Sequence, residues 1–255
     1  MRSIASFLWL TLRSTRRRLI GLTAFGLLFL AAGATARIFT HDGQGHMEMD
    51  RLIELGGVTL VSGILILGWL IGRFPLIATL VLMSGIFSTD RHEGYARLYA
   101  VRPRSLILLY AARFALFSVV AFIMSALLMP AFDFLVLGEW GGPTVFVLIA
   151  AQIIVFGVLT ALLSVFTRAD AWIALFLGIL AMVWDGLRRV DYFAGMPAFL
   201  REVTSVVLPP QGALMRIELA FGSMLPVPWE AFLYILIYGT LVLLLAGVAL
   251  ARRTL

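Results

Sequence analysis

The chain has 255 residues, of which 62% are hydrophobic and only 13% charged, with a mean hydropathy of +1.02. A soluble domain of this length carries about twice that charge, so a water-soluble globule is excluded, and so is a disordered chain. The formal charge is +6, all of the basic residues are arginine, and there is no cysteine, which excludes disulfides, thiolate metal sites and cysteine nucleophiles. The composition is that of an all-α polytopic membrane protein in a single transmembrane domain, residues 1–255.

Residues 3–12 have the pattern of an amphipathic helix, with Ile4, Ala5, Leu8, Trp9 and Leu12 on one face. Segment 1–18 is therefore expected to lie on the cytoplasmic membrane surface, its arginines towards anionic headgroups. Arg16-Arg17-Arg18, the apolar run that follows and Ala34-Thr35-Ala36 imitate an export signal, but we read this segment as an uncleaved first span. A helix needs about 20 apolar residues to cross the hydrocarbon core. On that criterion the crossings are Leu19 to Ala36, a second ending at Phe87, Leu106 to Met129, Thr144 to Phe166, Ala171 to Leu187 and Ala231 to Leu250, six in all.

The second crossing is ambiguous, because apolar sequence runs from Leu52 to Phe87 with Arg73 and Pro75 interrupting it. Two crossings would leave only Gly72 to Pro75 as the turn. We read one crossing from near Gly68, with Trp69 at the interface and Leu52 to Leu67 as an outer lead-in. Arginines before the first span, in Thr89 to Ser105, and at Arg252 and Arg253 place both termini and segment 89–105 in the cytoplasm. Segment 188–228 falls outside. Its arginines are nearly cancelled by Asp191, Glu202 and Glu218, and it contains two short helical stretches, Ala198 to Leu208 and Gly212 to Met224, divided by Pro209-Pro210. Their apolar faces suggest helices lying on, or dipping into, the outer leaflet.

The most distinctive segment is Asp90-Arg91-His92-Glu93-Gly94-Tyr95-Ala96-Arg97-Leu98-Tyr99-Ala100-Val101-Arg102-Pro103-Arg104-Ser105. It reads as a short charged helix parallel to the membrane, which Pro103 ends as the next span begins. Glu93-Gly94, Pro103 nine residues after the glycine, Ser105 and Arg113 together resemble the membrane subunits of ABC-2 type ABC exporters. Tyr95 stands where that family usually has a small hydroxyl residue, and Leu106 where arginine is common. The resemblance extends to six spans, an amphipathic N-terminal helix and paired outer helices before the last span.

What the resemblance implies is a permease subunit whose 89–105 segment is a coupling helix. Arg91, Glu93, Gly94, Arg97, Arg102 and Pro103 would dock on a separate ABC ATPase, two per complex, and the ATPases would hold the ATP and magnesium. A second permease subunit, identical or homologous, would complete the route for a lipid, amphipathic drug or peptide-like substrate across a bacterial cytoplasmic (inner) membrane. The residues agree in one respect: a phosphate-binding loop needs a lysine, and the chain has none. Nothing in the sequence suggests a nucleic-acid partner or a cofactor of its own.

Within the spans, Arg73 needs a polar partner, since leaving it unpaired in lipid costs about 2.5–3.5 kcal/mol. Matched depth suggests Asp185. Gln152 could line a substrate path, although bonding between helices is the simpler role. His41, His46, Met47 and Met49 in the first outer loop are weak copper candidates, leaving a copper-linked permease as one alternative. An ion-coupled secondary transporter and a non-transporting scaffold are others, though we find no internal repeat of the kind such carriers show. No catalytic constellation is apparent: the histidines fall in loops, and Asp133 and Asp185 lie near span ends.

Overall fold

The computed structural model describes residues 2–40, 66, 68–89, 106–137 and 140–254, and all regular structure among them is helical. The helices are α1 (Arg2–Ser14), α2 (Arg16–Thr40), α3 (Phe74–Met83), α4 (Leu106–Leu137), α5 (Thr144–Ser164), α6 (Asp170–Arg189), α7 (Ala198–Val207), α8 (Gln211–Gly222) and α9 (Trp229–Thr254). Five of them, α2, α4, α5, α6 and α9, are long and apolar enough to cross a membrane. The protein is a polytopic helical membrane protein.

Helix α5 is the axis of the bundle. It packs against α3, α4, α6, α8 and α9, and apolar residues occupy its whole circumference. A helix that is hydrophobic all round belongs in the interior. The other long helices keep large outward apolar faces, such as Leu127 on α4, Phe176 on α6 and Leu244 on α9, as lipid-facing helices do. Helix α4 continues eight residues beyond the expected end at Met129, running through Pro130 to Leu137. In a membrane helix a proline is tolerated where neighbouring groups take up the freed carbonyl.

The expected single crossing beginning near Gly68 is broken rather than straight. Residues 68–72 are helical, Arg73 forms a turn, and α3 resumes at Phe74 with Pro75 in its first turn. Proline has no N–H and its ring obstructs the carbonyl one turn earlier, so the ladder breaks there. The Arg73 N–H falls back to a tighter bond on Leu70 O at 3.0 Å. Residues 52–65 and 67 of the expected lead-in lie outside the described residues.

The shorter helices divide between surface and core. Helix α1 seats Phe7 and Thr11 against the protein and packs on α4, and Trp9, on the face expected to meet the membrane, is 68% exposed. Of the outer pair, α7 has no buried residue, whereas α8 buries Ala213, Leu214, Ile217 and Ala220 against α5, α6 and α9. Helix α8 is thus part of the core. Its N-terminus rests on Asp185: a Cβ on Gly212 would lie 2.8 Å from Asp185 Oδ1. A carboxylate at a helix N-terminus is electrostatically favourable.

Candidate functional site: a polar lock at the end of helix α3

Helix α3 ends where the chain must turn towards the 89–105 segment. Ser84 leaves the helical region, and Gly85 adopts a left-handed conformation at φ +74°. Only glycine takes this conformation without strain, and a Cβ here would also collide with Thr89 Oγ1. The turn exposes backbone donors and acceptors in a buried place, so each requires a partner.

Asp170, fully buried at the start of α6, supplies part of the answer. Its Oδ2 accepts from the Gly85 N–H at 2.7 Å, and its Oδ1 from the Ala171 N–H at 2.8 Å and the Ser84 hydroxyl at 3.3 Å. Ser164, at the end of α5, accepts from the Phe87 and Ser88 N–H groups at 2.9 and 3.2 Å. On the opposite side Arg18 Nη1 donates to Ser84 O at 2.7 Å and Val81 O at 3.2 Å. A cation at the open C-terminal carbonyls of a helix is favoured by the helix dipole, as is the carboxylate at the α6 N-terminus. Arg18 also lies within electrostatic reach of Asp170 and Arg113.

Arg113 closes the arrangement. From α4 its Nη1 donates to Ile86 O at 3.2 Å, while the Phe87 and Tyr110 rings meet edge to face with centroids 4.8 Å apart. The described residues that precede and follow 90–105 are therefore fastened to one another, and through Asp170 and Ser164 to α6 and α5. Next to this lock is a groove of about 420 Å³ between α3 and α6, with Leu80, Val81, Trp172 and Leu175 in its walls and Arg18 and Ser84 at one end.

A second polar cluster surrounds the break at the other end of α3. Gln152, fully buried, donates from Nε2 to Gly72 O at 3.0 Å, so it joins helices across the interior. Arg73 makes a two-pronged ion pair with Glu218 on α8, Nη1 to Oε1 and Nη2 to Oε2, the latter at 2.9 Å; its guanidinium also lies 5.8 Å from the Trp69 ring centre. The expected Arg73–Asp185 pair is not formed. Asp185 instead accepts from Arg189 Nη2, one helical turn on, at 2.7 Å. Matched depth was insufficient to choose the partner, because α8 enters the core and brings Glu218 closer.

Arg73 and Gln152 thus meet at one break, and Asp185 lies apart from them. Arg91, Glu93, Gly94, Arg97, Arg102 and Pro103 lie outside the described residues, as do His41, His46, Met47 and Met49. Sequence reasoning missed Ser84, Gly85, Ser164, Asp170 and Glu218. The one available signal was Asp170, which begins an apolar run immediately after a turn and so sits where helix-starting acids belong. Comparison of the chain with family models, characterised proteins and solved structures gives no match. The fold and these clusters define it as a helical membrane protein with a buried polar cluster at the end of α3.

Proposed function

We propose that this chain is the membrane subunit of an ATP-driven exporter of the ABC-2 type, with segment 89–105 as the docking element for a separate ATPase. The observation that carries the reading is the fastening of that segment's two roots. A lever transmits force only if its ends cannot slip. Here Arg113 to Ile86 O and the Phe87–Tyr110 contact tie α3 to α4, and Asp170 and Ser164 tie the same turn to α6 and α5. A push on 89–105 would move four helices together. The Glu93-Gly94, Pro103, Ser105 and Arg113 spacing supports the same assignment, and the lack of any lysine makes an external ATPase the natural energy source.

In this reading the broken segment 68–87 is a sixth crossing, α1 lies on the cytoplasmic surface, and both termini are cytoplasmic in a bacterial inner membrane. Six crossings enclose no route alone, so two permease subunits face one another, each served by an ATPase that binds ATP and magnesium. The cargo is a lipid, an amphipathic drug or a peptide-like molecule.

The test uses the chain's lack of cysteine. A Tyr95→Cys variant in intact cells should resist a membrane-impermeant maleimide and react after the membrane is opened; labelling from outside would overturn the reading. Purification in mild detergent, followed by mass spectrometry of bound chains, should recover an ATPase subunit. Charge reversal by Glu93→Arg should lower substrate-stimulated ATP hydrolysis of that complex while leaving membrane insertion unchanged. A carrier that transports without ATP would refute the proposal.

A further inference from the structure

We propose that the groove beside Arg18 binds an anionic phospholipid from the bilayer leaflet on the Arg18 side. The groove has two chemically different parts. Leu80, Val81, Trp172 and Leu175 make an apolar wall, and the guanidinium of Arg18 stands at one end with Ser84. No carboxylate lines it. Asp170 is close, but its oxygens are turned to Ser84, Gly85 and Ala171.

Arginine has five N–H donors, and the two bonds to Val81 O and Ser84 O use only Nη1. The rest of the fork matches a phosphate, which guanidinium binds with paired donors. Arg18 is exposed at the start of a helix long enough to span the bilayer, where a headgroup phosphate would lie. Trp172, 76% exposed in the first turn of α6, occupies the interfacial position favoured by tryptophan. Exposed Arg16 and Arg17, next to Arg18 in the chain, add positive potential beside it.

This charge pattern selects the occupant. A soluble phosphate would satisfy Arg18 and leave the apolar wall unfilled. A second copy of this chain would cover the wall but bring another arginine cluster against the first. A phospholipid does both, with its phosphate on Arg18 and an acyl chain along Leu80, Val81 and Leu175. Because Arg18 also caps the carbonyls of α3, the bound lipid would steady the turn at Ser84 and Gly85.

The full-length chain, purified without any ATPase, is incubated in mixed micelles of equimolar phosphatidylglycerol and phosphatidylcholine, and the lipid that stays bound is quantified by native mass spectrometry. Wild-type protein should retain phosphatidylglycerol in about fivefold preference, the scale of one arginine near an anionic surface. Arg18→Gln should abolish the preference, whereas Arg13→Gln, away from the groove, should leave it intact. Val81→Trp fills the groove and leaves every charge in place, so it tests the site even if Arg18→Gln does not fold; it too should remove the bound lipid. Equal retention of both lipids, or a preference unchanged in Val81→Trp, would overturn the proposal. So would a Val81→Trp variant that splits a dimer without altering lipid content. The ATP-driven reading is untouched by any of these outcomes.

Discussion

Replacing Glu218 by glutamine should destabilise the protein by about 2–3 kcal/mol. The two side chains of the Arg73–Glu218 pair retain 21% and 25% of their exposure, so the pair is neither solvated nor fully buried. Solvent-exposed pairs contribute about 0–1 kcal/mol, and removing one partner of a buried pair costs about 3–5 kcal/mol. The intermediate exposure places this pair between those limits, and its two-pronged geometry places it above the surface value. The direction is set by what remains. Glu218→Gln keeps one acceptor oxygen for Arg73 but leaves the guanidinium charge without its counter-charge in a largely apolar bundle, beside the Trp69 ring. Thermal unfolding in detergent should therefore show a midpoint lowered by about 4–12 °C, using about 2–4 °C per kcal/mol for a chain of this size. The clean measurement is a double-mutant cycle. Arg73→Gln with Glu218→Gln should be less destabilised than the sum of the single variants by about 1.5–2 kcal/mol. Arg73→Gln with Asp185→Asn should be additive, since Asp185 pairs with Arg189 and supports the α8 N-terminus. A coupling for Arg73–Glu218 below about 0.5 kcal/mol, the usual scatter for independent sites, would refute the reasoning.

Three further outcomes are expected. Gly85→Ala should cost about 1–3 kcal/mol, because φ +74° is strained for any Cβ-bearing residue and the new methyl meets Thr89; urea or thermal unfolding reads the loss. Asp170→Ala should cost about 1–3 kcal/mol by leaving the buried Gly85 N–H without an acceptor, and hydrogen exchange at Gly85 should speed up; Asp170→Asn, which keeps an acceptor oxygen, should be milder. Gly239→Ala on α9 should destabilise by about 1–3 kcal/mol, since a Cβ would collide with Ile154 on α5, while Gly247→Ala, with open space around it, should be tolerated.

What could be read from the chain alone was whatever depends on one segment at a time. The places of α2, α5, α6 and α9 in the chain follow from apolar runs that must satisfy their own backbone in lipid, and the division between α7 and α8 follows from Pro209-Pro210. The need of Arg73 for a polar partner was also legible, because the cost of a bare charge is a property of that residue and its surroundings in sequence. The identity of the partner was not. Glu218 lies 145 residues away, on a short helix whose entry into the core depends on the packing of α5, α6 and α9. Asp170 behaves likewise: in sequence it is one acid in a four-residue turn, and only when α6 starts against the end of α3 does it become the acceptor for Gly85. Periodicity and composition are local quantities, whereas the choice among several carboxylates is made by distance in the folded bundle.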